Sequence, residues 1–143
     1  MRIKFPVTVH LLFFRDQQIL LLRRFNTGYE DGNYSVPAGH LEGGETIRRA
    51  AVREALEEVG VHIDVEDVAF ATVTHRKSND ERVDFFVHIK EWEGEPFNAE
   101  PHKCDELRWF DLEALPENTI PYVRRAIQNY NQAIPFEEFG WGA

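Results

Sequence analysis

Cysteine is almost missing from this chain: Cys104 is the single one, so no intrachain disulfide can form. Long apolar runs are missing too. The stretches 7–14 and 19–22 fall well short of the roughly 20 residues that a membrane-spanning helix needs. The segment Met1-Arg2-Ile3-Lys4-Phe5-Pro6 has no long apolar core of a signal peptide, so a cytoplasmic location away from membranes is the expectation. Positive charge is scarce, with 16 basic residues against 25 acidic ones and a formal net charge of −9. That balance repels a nucleic acid polymer and an anionic membrane surface. An anionic small molecule remains open, because a bound metal can reverse the sign of a site locally. No internal repeat or low-complexity tract is visible, and 143 residues with 43% hydrophobic content suffice for one domain, 1–143, with its own core.

What is present reads as a mixed set of elements. Residues 5–14 and 18–25 are apolar, β-branched or aromatic runs separated by Arg15-Asp16-Gln17, a hairpin or a pair of neighbouring strands. The stretch 26–33 holds two glycines and no periodicity, a loop long enough to border a binding site. A short extended segment, 34–37, leads into 38–45, where three glycines permit an unusual backbone path. A helix is predicted over 46–59 with Gly60 as its stop. Its apolar residues fall into two stripes, one of Ile47, Ala50 and Ala51, the other of Val52, Leu56 and Val59, which predicts a helix covered on both sides. Strands at 67–76 and 82–91 should pair antiparallel, and 106–110 can return as a short strand. Ile120, Val123, Ile127 and Tyr130 mark a second helix, with Pro121 in its first turn. The tail 135–143 reads as irregular, its three aromatics covering the chain's own surface or a partner's. The sum is an α+β domain, a mixed sheet layered between helices.

The most informative stretch runs from Gly39 to Val61. On the predicted helix Glu54, Glu57 and Glu58 fall within about a 100° arc. These acids lie toward the negative end of the helix dipole, and Glu54 and Glu58 repel each other at i,i+4, so something positive should compensate. They also extend the stripe of Ile47, Ala50 and Ala51, a face expected to be buried or cleft-lining, where an unpaired charge is costly. No cation belongs to the cluster itself, and hard oxygen ligands of this kind suit Mg²⁺ or Mn²⁺. Glu45, at the start of the helix, can cap its backbone amides.

Gly39, Glu45, Arg53, Glu54, Glu57, Glu58 and Gly60, with Ala55 and Val61 at the aliphatic positions, resemble the signature of the Nudix hydrolases with every fixed position filled. The order of elements is similar to that family's α/β/α sandwich over most of the chain. The resemblance implies hydrolysis of a diphosphate linkage with Mg²⁺ or Mn²⁺ held by Glu54, Glu57 and Glu58. Either Glu54 or Glu58 would orient or deprotonate the attacking water, and Glu45 would pair with Arg53 to keep the acids in register. It also implies an acid from a later loop, for which Glu106 is the candidate over Asp105. A homodimer is known in such families, although no residue here demands one.

Substrate recognition lies outside the signature. Arg23 and Arg24 stand at a strand end where arginine can grip phosphate. His40 belongs to a Gly-His-Leu-Glu form similar to that of nucleotide-cleaving members. Tyr34, Phe85, Phe86 and Trp109 are aromatics that could stack on a base, while His10, His75 and His88 read as structural or solvated strand residues. The segments 92–96 and 100–109 look similar to the small triphosphate-cleaving branch, so a nucleoside triphosphate, modified ones included, is the expected substrate. ADP-ribose-type nucleoside diphosphate sugars and dinucleoside polyphosphates are the alternatives, and a nucleotide-sensing domain without activity is the non-enzyme alternative.

Overall fold

Strand β1 (Val7–Arg15) is buried over most of its length because both of its faces carry apolar side chains. In the computed structural model, which describes residues 2–142, Val9, Leu11 and Phe13 enter one apolar cluster and Leu12 enters another on the opposite face. Around β1 are arranged β2 (Gln18–Arg24), β3 (Tyr34–Ser35), β4 (Ala38–His40), helix α1 (Ile47–Val59), β5 (Val68–Lys77), β6 (Glu81–Ile89), β7 (Cys104–Asp111), helix α2 (Pro121–Asn131) and β8 (Phe136–Phe139). The path across the sheet is β3-β2-β1-β6-β5-β8, with β4 paired to β1 and β7 to β2. β1 meets β2 only at its far end, through Phe14 with Ile19 and Arg15 with Gln18. Over Val7–Phe13 it pairs in parallel with β6, and over Thr8–His10 antiparallel with β4. The two halves of the sheet therefore splay apart from a shared strand. α1 covers the cluster of Val9, Leu11 and Phe13, and α2 covers that of Leu12. This is the mixed, two-sided α+β layering expected. Among the described residues no helix is long and apolar enough to cross a membrane.

Helix α1 starts where Thr46 accepts a hydrogen bond from the Arg49 N–H at 3.1 Å, so the cap is Thr46 and not Glu45. It stops at Gly60, whose φ of 69° turns the chain so that its N–H reaches the carbonyls of Ala55 and Leu56. An alanine there would occupy the left-handed region at a cost of about 1–2 kcal/mol, while the exposed Phe97 ring beside it can swing aside. Gly60→Ala should lower the unfolding free energy by that amount, read in a urea titration as a lower midpoint with the slope unchanged.

Three expectations need correction. The helix is not covered on both sides: Ala50, Ala51, Glu54, Ala55 and Val59 are buried on one continuous face, whereas Leu56 is 47% exposed and Val52 only half-buried. The start of the glycine-rich stretch is not irregular, since 38–40 form β4. The tail is not irregular either: β8 adds in parallel to β5, Phe139 packs toward the α2 cluster and the Trp141 indole N–H donates to the His75 carbonyl at 3.0 Å. An alternation too short to read hid this strand.

Candidate active site

β4 lies beside α1, and this proximity requires Gly39. A Cβ on Gly39 would stand 2.0 Å from Glu54 Oε1, so the glycine is the space in which the Glu54 carboxyl rests. The burial of Glu54, 8% exposed, pushes its carboxyl above the usual range while Arg53 opposes the shift. Glu58 stands one turn on. Its Oε2 is enclosed and has no hydrogen-bond partner among the described residues. Burial first, then the neighbouring Glu54 and Glu100, push the Glu58 carboxyl well above the ordinary range. An enclosed acceptor without a donor is costly.

Arg53 overturns the expectation of a cluster without a cation. Its guanidinium donates to both oxygens of Glu45 at 2.7 and 3.1 Å, to Glu54 Oε1 at 2.7 Å and to the His40 carbonyl at 3.1 Å. Glu57 Oε1 receives it only at 3.4 Å. Glu45 is thereby held below the usual carboxylate range by Arg53 and by the Glu42 N–H. Glu45 and Arg53 thus tie the loop before α1 to the acids on it. With Arg53 between Glu54 and Glu57, the acids do not stand as a closed cage, and among the described residues no three acidic, His or Cys side chains do.

The acids face a cleft of about 620 Å³. His40, Glu54, Glu57 and Glu58 line it, together with Arg24 at the end of β2 and Asn26 and Tyr29 of the 26–33 loop. That loop is folded on Asp31, which accepts from the N–H groups of Thr27 and Gly28 at 3.0 and 2.9 Å, and its Tyr29 carbonyl accepts from Arg24 Nε at 2.6 Å. The structure therefore brings Glu54, Glu57, Glu58, Arg53, His40 and Arg24 to one cleft.

Several sequence candidates lie outside its lining, among them Glu45, which Arg53 ties to the acids, and the aromatics Phe86 and Trp109. Arg23 alternates away from Arg24 along β2 and pairs with Asp105 at 2.8 Å. Glu106 faces Arg23 across the β2–β7 pair and is bound by the Tyr34 hydroxyl, so neither Glu106 nor Tyr34 stands with the acids of α1. Phe85 is displaced by strand alternation: its neighbours Asp84 and Phe86 share the face of β6 opposite to it. The acid that does reach the cleft is Glu100. It is carried there because the main chain after β6 hydrogen-bonds the end of α1, through Phe97 N–H to the Val59 carbonyl and Ala99 N–H to the Glu58 carbonyl. No local pattern in the sequence announces that return. Cys104 also lines the cleft, with its thiol pushed up by burial and turned to the Glu106 carbonyl at 3.2 Å.

The model of the NUDIX domain matches residues 4–130. The chain is 31% identical over 103 residues to the oxidized purine nucleoside triphosphate hydrolase of Danio rerio, covering 68% of this chain and 61% of that protein. It therefore spans less than two thirds of that relative's length. It is 31% identical over 124 residues to the ADP-ribose pyrophosphatase of Methanocaldococcus jannaschii, covering 87% of this chain and 72% of that one. The crystal structure of a MutT NUDIX hydrolase from Burkholderia pseudomallei superposes with a TM-score of 0.80 at 26% identity, over 87% of this chain and 97% of that chain.

Proposed function

The chain belongs to the Nudix family, and from that membership and the acids of α1 we propose that it hydrolyses a phosphoanhydride linkage in a small nucleotide. The observation that carries this reading is the enclosed, partnerless Oε2 of Glu58 beside the buried Glu54. Two neighbouring buried carboxylates, one with an enclosed oxygen that nothing satisfies, support a cation site there. The family works with a divalent ion, and hard carboxylate oxygens with nearby space for phosphate fit Mg²⁺ or Mn²⁺. Glu54 and Glu58 would hold it with Glu57, which is about half exposed and only loosely tied to Arg53. When bound, the ion neutralises phosphate charge and favours the ionised form of both buried acids.

The chain's own residues do the rest. Arg53 fixes Glu54 and the Glu45 loop, so that the acids keep one geometry. One of Glu54 and Glu58, both lining the cleft, takes the proton of the attacking water as it closes on phosphorus. Arg24 and Lys103, which also line the cleft, are cations available to phosphate oxygens. A nucleoside triphosphate, cleaved to nucleoside monophosphate and pyrophosphate, is the substrate class we favour. Nucleoside diphosphate sugars are the second reading, since the Danio rerio and Methanocaldococcus jannaschii relatives differ on this point by name.

Phosphate and pyrophosphate release should be measured with Mg²⁺ and with EDTA across triphosphates, sugar diphosphates and dinucleoside polyphosphates. Release from at least one class only with the metal is the expected result; none from any class would leave the nucleotide-sensing reading. Gly39→Ala supplies a further check. Its methyl group must push the flexible Glu54 carboxyl aside, so turnover should fall about 10²-fold with little change in thermal midpoint.

A further inference from the structure

At the end of β1 nearest the cleft, the face that carries Leu12 farther along carries His10 and Thr8 instead. Beside them, on β6 and β5, lie Asp84 and Arg76, and α2 adds Tyr122. All five are at least nine-tenths buried, and all but Asp84 line the cleft. Apolar side chains would fill this layer as well or better, because a buried ion pair rarely stabilises more than its hydrophobic replacement. The polar chemistry therefore has another purpose.

The hydrogen bonds run in one direction only. Asp84, charged and paired with Arg76 at 2.6 Å, accepts the Thr8 hydroxyl proton at 2.6 Å. The Thr8 oxygen is thus left to accept from His10 Nδ1–H at 3.3 Å. His10 is neutral, since burial lowers its pKa to about 4, so its single ring proton is on Nδ1 and its Nε2 must accept. Nε2 accepts from the Tyr122 hydroxyl at 3.0 Å. The proton of that hydroxyl is committed, and the Tyr122 oxygen can offer only lone pairs. The Arg76 guanidinium lies 3.6 Å over the Tyr122 ring. Two of its N–H groups go to Asp84 and one to the Tyr29 hydroxyl at 3.4 Å, leaving one N–H on each terminal nitrogen.

A fixed acceptor beside a cationic donor is the complement of a ring N–H flanked by a carbonyl. We infer that Tyr122 and Arg76, held by His10, Thr8 and Asp84, form a specificity site that reads this keto–imino edge on the nucleobase of the substrate. The inference rests on the hydrolase reading for the position of the phosphates, at the carboxylate side of the same cleft. It selects guanine- and uracil-like bases over adenine and cytosine, because the guanidinium charge favours a carbonyl oxygen over a ring nitrogen.

The test is calorimetric binding, without metal, of guanosine, uridine, adenosine and cytidine 5′-monophosphates and of ribose 5-phosphate to the parent protein, Tyr122→Phe and Arg76→Lys. The parent should bind the two keto nucleotides roughly 10-fold or more tightly than the others. Tyr122→Phe should bring all four nucleotides to within about 3-fold of each other, and Arg76→Lys should do the same if it folds. Equal binding of all four by the parent, a preference for the amino bases, or an undiminished keto preference in Tyr122→Phe would overturn the inference. Mg²⁺-dependent turnover of the parent is scored separately. Its absence alongside a keto preference that Tyr122→Phe abolishes would sink the hydrolase reading and support the base site, and turnover with an insensitive preference would do the reverse.

Discussion

Glu58→Gln is expected to lower turnover by at least about 10²–10³-fold while the protein stays folded and gains stability at high pH. The two effects share a cause. The Glu58 carboxyl is enclosed beside Glu54, and burial pushes its pKa well above 4.5. A group whose folded pKa is raised binds its proton more strongly in the folded chain. Its favourable contribution is therefore complete below the unfolded value and declines as pH rises through the folded one. Glutamine does not ionise and escapes that decline. In metal-free buffer, the thermal midpoint of Glu58→Gln relative to the parent should rise between pH 5 and pH 8, whereas kcat with Mg²⁺ should collapse. Near-normal kcat in both Glu58→Gln and Glu57→Gln would contradict the site assignment.

Asp84→Asn should cost the most stability of any single substitution considered, roughly 3–5 kcal/mol by the precedent of broken buried ion pairs. The Asp84 and Arg76 side chains are 0% and 5% exposed, so the variant strands a buried guanidinium. Burial acts to raise the Asp84 pKa, but the His10 ring and the bonds from Arg76 and Thr8 outweigh it and hold the carboxyl below 3.8. Because His10 is neutral above about pH 4, the Arg76 pair carries most of this near neutrality. For a depressed carboxyl the stabilisation is present above the unfolded value and lost as pH falls through the folded one. Urea titrations should therefore show a wide gap between parent and Asp84→Asn at pH 7 that narrows steadily below pH 3.8.

The contrast between Glu58 and Asp84 also shows what the sequence could convey. Glu54, Glu57 and Glu58 were legible because helical periodicity is local: three positions within one and a half turns share a side whatever surrounds them. Arg53 was legible as a member of the motif but not as the cation among these acids, since that depends on which rotamer a long side chain takes. Asp84, Arg76, His10 and Tyr122 come from four separate elements, and it takes the antiparallel pairing of β5 with β6, the parallel pairing of β1 with β6 and the packing of α2 to bring them together. A polar residue in a strand, taken alone, is as consistent with solvent as with a site. Phe85 and Tyr34 failed as cleft residues for a related reason, because strand alternation fixes which residues share a face but not which face meets the cleft. Glu106 was misplaced by the same ambiguity, and Glu100 was missed because a loop without periodicity carries it.

The most direct test of the account is a Mn²⁺ titration followed by the electron paramagnetic resonance signal of the free ion. The parent protein should bind Mn²⁺ in competition with Mg²⁺, and Glu58→Gln should weaken that binding by about 10-fold or more. Identical Mn²⁺ binding by the parent and by Glu58→Gln, or none by the parent, would contradict the claim that the acids of α1 form a divalent metal site.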